Sequence, residues 1–537
     1  MRAAKFLWII FLIVAAGLKT ALLVADCFPF NADEAIVALM ARHILINGER
    51  PVFFYGQAYM GSLDAFLVAL GFALFGFHIW VIRAIQTVLY LFVILSTVKL
   101  TSLIFSPSNG RWYTAALLAG PTVNVTLYTT VSLGGYGEAL LIGNLILYWG
   151  LSLLRLLEEE RFPPLRGFGF LGFWIGLGFW VNGLTGIYAL PVLLSLLWAG
   201  FQHRQVLDRN STGLAIGIFC LAGLLGSLPW WSYAWRQGTD TLIGELFGSA
   251  IASSEGNGLH QATRNLLNLL IFGSSVLLGL RPPWEIRWLA LPLAPFALAI
   301  WLAFLGWWTR ELIGPKRRLQ AWVITGIALT FGLAFVFTPF GADPSGRYFL
   351  PLWVVLSLIA GEMAVRFIPK VRYQIGLIGV LVVFNLWGTL ECAMRTPPGL
   401  TTQFDPVAAI DHRPMKDLIQ FLQENGETRG YTNYWVAYPL AFLSEEQIIF
   451  SPRLPYHPDL RYTPRDDRYP AYTRLVANSE RVAYITTKNP ALDEILTLRF
   501  KAANIEWQEI WIGEYHVFYR LSQAIHPHQI GLGEKFP

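Results

Sequence analysis

Long apolar runs separated by short polar connections dominate the first three-quarters of the chain. The runs at residues 6–25, 79–104, 113–131, 139–156, 168–181, 184–200, 212–231, 288–308, 320–338, 347–367 and 374–391 predict helices that cross a membrane, since roughly twenty apolar residues span a hydrocarbon layer of about 30 Å. That pattern predicts about eleven spans, some of them short for the thickness. Two further apolar stretches, 63–77 and 266–280, are read as interfacial or re-entrant segments. With that choice Arg2, Lys5, Arg111, Arg155, Arg161, Arg166, Arg204, Arg209, Arg310, Lys316, Arg317, Arg318, Arg366, Lys370 and Arg372 all fall on one face, which the positive-inside rule makes cytoplasmic. Counting 63–77 as a full crossing would invert every later loop.

Three polar segments then share the opposite, extracytoplasmic face: residues 27–62, the turn Gly134-Gly-Tyr-Gly-Glu138, and Asp343-Pro-Ser-Gly-Arg347-Tyr348. Past residue 392 the pattern changes to that of a soluble domain on the same face. Met415, Leu418, Ile419 and Leu422 recur at helical spacing before a stop at Gly426. Residues 481–487 read as a strand, and 510–512 with 515–519 as a hairpin turning at Gly513-Glu514. The predicted organisation is a mainly α, polytopic transmembrane catalytic domain over 1–391 and a small extracytoplasmic α/β domain over 392–537.

Composition agrees with a membrane protein: 55% of the 537 residues are hydrophobic and only 14% charged, too apolar for a soluble chain of this length. The net charge of +5 is therefore a topology signal first. Cys27, Cys220 and Cys392 form neither a metal spacing nor a disulfide framework. The first run has no small-residue cleavage signal and is read as a retained span.

Candidate chemistry lies in the polar segments. Asp33 and Glu34 stand just beyond the first span, where charge is expensive unless it has work to do. Asn31 with Glu34 also suits a capping box opening a helix that carries Ile36, Val37, Met40 and Ile44, which would leave Asp33 as the free carboxylate. Arg347 begins a span, where the helix dipole disfavours a cation, so a neighbouring anion is expected, either a protein carboxylate or a lipid phosphate. Glu138 follows a glycine-rich turn and equally suits a helix start, as does Asp64 after Ser62. Lys19 within the first span receives no role, and His43 is read as an interfacial side chain rather than a ligand. In the tail, residues 431–438 and 461–469 concentrate aromatic and charged groups. These suit sugar stacking or, equally, a core strand followed by a solvated loop, and no catalytic residue is placed there.

The order of an apolar span, Asp33-Glu34, a helix ending Asn47-Gly-Glu, Gly56-Gln-Ala-Tyr-Met-Gly61, Leu74-Phe-Gly76 and Arg83 resembles the opening of GT-C fold glycosyltransferases. The similar branch is that of the protein O-mannosyltransferases and the lipid A aminoarabinose transferase. Trp180-Val-Asn-Gly-Leu, Tyr188-Ala-Leu-Pro191 and Arg347-Tyr-Phe-Leu-Pro351 are similar to later signatures of that group. The resemblance covers residues 1–390 and leaves out the tail. A Lys-Pro-Pro element found in part of the family is absent, with Gly61-Ser-Leu-Asp64 in its place.

The resemblance implies an inverting transferase that takes a sugar from a polyprenyl-phosphate donor and hands it to a hydroxyl of a glycan, lipid or protein on the outer face of a membrane, expected to be a bacterial inner membrane. It places Asp33 as general base, with Glu34 in the second position of the motif. Arg347 and Tyr348 are then expected to bind the donor phosphate, and Glu138, Tyr136, Gln57 and Tyr59 the substrates. Magnesium or manganese held by Asp33 and Glu138 suits carboxylate ligands, though nothing in the sequence demands a metal. Nucleic acid is not an expected partner. The rival readings are a lipid-linked saccharide transporter, which predicts internal repeats that the chain lacks, and an O-antigen ligase-like enzyme with a diphosphate-linked donor.

Overall fold

The computed structural model describes residues 7–105, 110–247, 258–314, 319–395, 399–457 and 459–532. The chain divides into two compact units, one of Met1–Val24, Ala58–Asp64 and Arg83–Cys392, the other of Ala25–Gln57, Ala65–Ile82 and Ala393–Pro537. The sequence predicts a single cut at 391/392, whereas the observed division is discontinuous.

The first unit is a bundle of apolar helices. Among the described residues eight helices are long and apolar enough to cross a membrane, from Ile79–Ile104 to Val371–Ala393, while Trp8–Val24 and Leu165–Val181 are shorter apolar helices. The chain is an integral membrane protein. The expected run 113–131 is not one helix: Gly110–Ala119 and Val123–Tyr128 are separate. Pro121 lacks an N–H and disfavours helical backbone at Gly120, and the Asn385 Nδ2 donates to Gly120 O at 3.0 Å, as a broken helix in an apolar medium requires. The run 212–231 likewise divides at Ser227, with Pro229 in the first turn of Leu228–Gln237. The run at 288–308 is helical only from Ala294. Leu63–Phe75 has 13 residues, about 20 Å of helix, and 266–280 contains a π-helical stretch, Asn268–Gly273, between two α-helical pieces. Neither crosses about 30 Å of hydrocarbon alone. Arg2, Lys5 and the Lys316-Arg317-Arg318 cluster lie outside the described residues.

The second unit is built on a five-stranded sheet in the order Ile449–Ser451, Arg429–Tyr431, Ala483–Thr487, Tyr515–Tyr519, Gln508–Ile512. The first three strands run parallel, and the last two form the expected hairpin, pairing Ile512 with Tyr515. Met415, Leu418 and Leu422 of helix Met415–Glu424 bury against Val436, Ile485 and Val517. Residues 25–57 and 65–82 belong here because they are pinned here. Leu400 N donates to Cys27 O at 2.8 Å, Phe30 and Phe72 both pack on Phe442, and helix Ala32–Ile46 lies along helix Tyr434–Leu443.

Candidate functional site

In the membrane unit the sequence-predicted residues gather at the start of helix Leu350–Phe367. Gly346 has φ +92° and an added Cβ would meet Asn124 Oδ1 at 2.4 Å, so only glycine fits the turn that aims Arg347. Asn124 Nδ2 donates to Gly346 O at 3.1 Å, and Asp343 accepts from Ser345 N at 2.9 Å. The expected anion beside Arg347 is a protein carboxylate, Asp343, whose Oδ2 lies 2.5 Å from Nη2. The pair does not use the whole guanidinium: Arg347 Nε is buried without a hydrogen-bond partner among the described residues, as are Ser345 Oγ and Tyr348 Oη. Buried donors without acceptors cost free energy unless something else accepts from them.

Beside this turn is a cavity of about 380 Å³, lined by Tyr59, Tyr136 and Tyr348 with apolar walls that include Phe331, Phe335 and Phe340. The guanidinium of Arg347 stands over the Tyr348 ring at 5.1 Å, and the Tyr136 and Tyr348 rings are 6.4 Å apart. Arg347, Tyr348, Tyr136 and Tyr59 are thus brought together. Arg347 reaches the cavity through Tyr348 rather than lining it, and Glu138 is not among the lining residues. Preceded by the left-handed pair Gly134-Gly135, it is buried in the first turn of Tyr136–Glu158 and interacts electrostatically with Asp64. Asp64 accepts from Gln86 Nε2 at 2.9 Å and from Ser132 Oγ, so two buried acids stand side by side where the sequence suggested two separate helix starts.

In the second unit Asn31 caps helix Ala32–Ile46, its Oδ1 accepting from Glu34 N at 2.9 Å. Glu34 is fully buried, while Asp33 keeps partial exposure. Tyr434 Oη donates to Asp33 Oδ1. Arg468 lies with its guanidinium 5.6 Å from the Tyr434 ring centre and donates to Gly56 O at 3.3 Å. The Gln57 carboxamide oxygen, oriented to satisfy both partners, accepts from Nη1 and Nη2 of Arg468 at 2.8 Å. Gln57 is therefore engaged with protein. Burial pushes the Asp466 carboxyl up to about 7, with Arg468 opposing and Asp33 adding to the rise. Burial and the Asp33 charge likewise hold the Tyr434 hydroxyl far above its usual range.

His43, read as interfacial, is a buried hub. Its Nδ1 and Nε2 lie 3.0 Å from Tyr55 Oη and 2.9 Å from Glu446 Oε1. Tyr472 Oη and Arg42 Nε donate to Glu446 at 2.7 and 3.1 Å, fastening the helix that carries Asp33. The tail residues Tyr434, Asp466 and Arg468 were not singled out individually by sequence. Their only signal was the aromatic and charged enrichment of two segments, about 400 residues from Asp33. Among the described residues no group of three or more His, Cys, Asp or Glu is arranged to hold a metal ion; Asp33 and Glu138 belong to different units.

Residues 62–230 match the model of the family described as dolichyl-phosphate-mannose-protein mannosyltransferase. ArnT from Cupriavidus metallidurans, solved bound to undecaprenyl phosphate, superposes with a TM-score of 0.58 at 12% identity, covering 95% of this chain and 97% of that one. The chain has the GT-C fold. Its apo form gives 0.57 at 13% identity over 96% and 98%. An oligosaccharyltransferase from Archaeoglobus fulgidus, tethered to an acceptor peptide, gives 0.51 at 11% identity, covering 90% of this chain and 69% of that one. No curated protein sequence matches the chain. The expected resemblance to GT-C glycosyltransferases is borne out, and the fold extends beyond the 1–390 of the sequence resemblance into the tail.

Proposed function

We propose that the chain is a glycosyltransferase that moves a sugar from a polyprenyl-phosphate donor to a hydroxyl acceptor on the extracytoplasmic face, with inversion. The observation that carries this reading is the pairing of chemistries at Arg347. A guanidinium with an unused buried N–H stands over the ring of Tyr348, which lines a largely apolar cavity whose polar lining is Tyr59, Tyr136, Tyr348, Asn182, Thr185 and Thr338. A phosphate with a prenyl tail suits both, and similarity to a transferase solved with undecaprenyl phosphate supports the choice.

In this reading Arg347, with Tyr348, Tyr136 and Tyr59, binds the donor phosphate and neutralises the charge that grows on it as the sugar departs. Asp343 holds the guanidinium in place. Asp33 is the general base. Its carboxylate takes the proton of the acceptor hydroxyl while the oxygen bonds to the anomeric carbon, the bond from that carbon to the phosphate oxygen breaks, and the polyprenyl phosphate leaves with the electron pair. A positioned base of this kind contributes about 10² to 10⁴ in rate. Glu34, sealed in the helix start, supports Asp33 rather than meeting substrate, and Glu138 with Asp64 forms a buried acid pair behind the Tyr136 turn. Carboxylate oxygens suit magnesium or manganese, and the proton and leaving-group steps above are assigned to side chains alone.

The test is product analysis with purified protein, a short-chain polyprenyl-phosphate hexose and membrane extract as acceptor. Glycosylated product of inverted anomeric configuration supports the proposal. Retained configuration would contradict direct displacement, and transfer only from a diphosphate-linked donor would contradict the donor class.

A further inference from the structure

A tyrosine of the tail, Tyr434, reaches Asp33. Helix Tyr434–Leu443 starts from Asn433, whose Oδ1 accepts from Trp435 N at 3.0 Å and whose Nδ2 donates to Thr487 Oγ1 at 2.8 Å. Thr432 Oγ1 donates to Ile485 O at 2.8 Å. The helix start is thereby fastened to the central strand of the sheet, and Tyr434 is buried at 3% exposure. Its ring is covered by the guanidinium of Arg468, itself held at Gly56 and Gln57. The ring is bracketed on the helix side by Tyr438, 5.5 Å away. All this rigidity ends in one hydroxyl, and that hydroxyl donates to Asp33 Oδ1.

We propose that Tyr434 is a positioning residue for Asp33: its hydroxyl fixes one carboxylate oxygen and the rotamer, so that Oδ2 is presented to the acceptor hydroxyl. This rests on Asp33 being the base. A group held in one geometry by a rigid partner reacts faster than one that samples several, and a displacement of about 1 Å can cost about a hundredfold. A tyrosine serves because it remains protonated: burial and the neighbouring Asp33 charge both oppose its ionisation, so it is a donor at any physiological pH. A merely cohesive role would be filled by any buried contact between the two segments, which Phe30, just ahead of helix Ala32–Ile46, and Phe442 already make at 5.6 Å.

Steady-state kinetics of Tyr434→Phe and Asp33→Asn with the polyprenyl-phosphate hexose separate the possibilities. Tyr434→Phe is expected to lower kcat by about 10- to 100-fold with donor KM unchanged within about twofold, the signature of an interaction used in the transition state. Parental kcat in Tyr434→Phe, with Asp33→Asn inactive, overturns the positioning role and leaves the base in place. Parental kcat in Asp33→Asn overturns the base reading itself. Should Tyr434→Phe fail to fold, Arg468→Lys, which keeps the charge and removes the planar cover from the ring, is expected to lower kcat several-fold at constant donor KM; unchanged kcat there overturns the proposal.

Discussion

At the residue scale, the acidic pair separates into a buried Glu34 and a reachable Asp33, the outcome expected from the capping reading, although the cap that forms is the half in which Asn31 Oδ1 accepts from the Glu34 N–H. What the sequence could not display is Asp466. Its carboxyl is raised by burial to about 7, with Asp33 adding to the rise, so the folded protein binds a proton there that the unfolded chain, at the ordinary 3.8, has released. Stability from this group is full below about 3.8 and is lost as pH rises to about 7. Ionising it in place costs up to about 4 kcal/mol, at about 1.36 kcal/mol per unit. Asp466→Asn is therefore expected to raise the unfolding midpoint at pH 8 and leave it unchanged near pH 4; equal effects at both would contradict a buried, raised carboxyl. Gly346→Ala places a Cβ 2.4 Å from Asn124 Oδ1 at φ +92° and is expected to weaken polyprenyl-phosphate binding by about 5- to 150-fold through strain of about 1–3 kcal/mol. Titration of the lipid against parent and variant checks it.

At the element scale, the hairpin at 508–519 and the helix at 415–424 were legible because period-2 and period-3.6 patterns with a turn residue or glycine stop are local signals. The break at Gly120-Pro121 was not read, because the apolar run continues through it and hydropathy does not register a missing N–H. The breaks at Ser227 and before Ala294 also fall beside prolines that the runs absorb. Asn385 answers the first break from a helix 265 positions away, a partnership visible only in the fold. Asn385→Leu is expected to cost about 1–3 kcal/mol by leaving Gly120 O unsatisfied, seen as a lower detergent-resistance midpoint. The helix carrying Asp33 is fastened at its other end through Glu446. Burial raises that carboxyl, but the bonds from His43 and Tyr472 and the charges of His43 and Arg42 outweigh it, leaving it below the ordinary 4.5. Its contribution is thus present above 4.5 and fades as pH falls below it. Glu446→Gln is expected to lower the unfolding midpoint at pH 7 and to make less difference near pH 4.

At the scale of the whole molecule, composition fixed the membrane class and the spacing of apolar runs fixed most helices, since burial in lipid leaves the backbone little choice but helix. The resemblance to GT-C transferases carried over to the whole length of a solved relative at 12% identity, which fits a fold held by helix lengths and polar breaks rather than by residue identity. The division into units was not legible. Residues 25–57 and 65–82 are fixed to the tail by the Cys27–Leu400 bond, by Phe442 and by the His43–Glu446 hub, all contacts between positions several hundred residues apart. In consequence the proposed base belongs to the unit built on the C-terminal sheet. Removing residues 393–537 is expected to abolish turnover, because it deletes Tyr434 and every tail partner of the Asp33 helix.

The most direct measurement is consumption of a short-chain polyprenyl-phosphate hexose by purified protein with membrane acceptor, comparing parent and Asp33→Asn at matched folding and lipid binding. The parent is expected to turn the donor over, with a loss of about 10² to 10⁴ in the variant. Turnover of the donor at the parental rate by Asp33→Asn, or none by the parent alongside demonstrable flipping of the lipid in liposomes, would contradict that expectation.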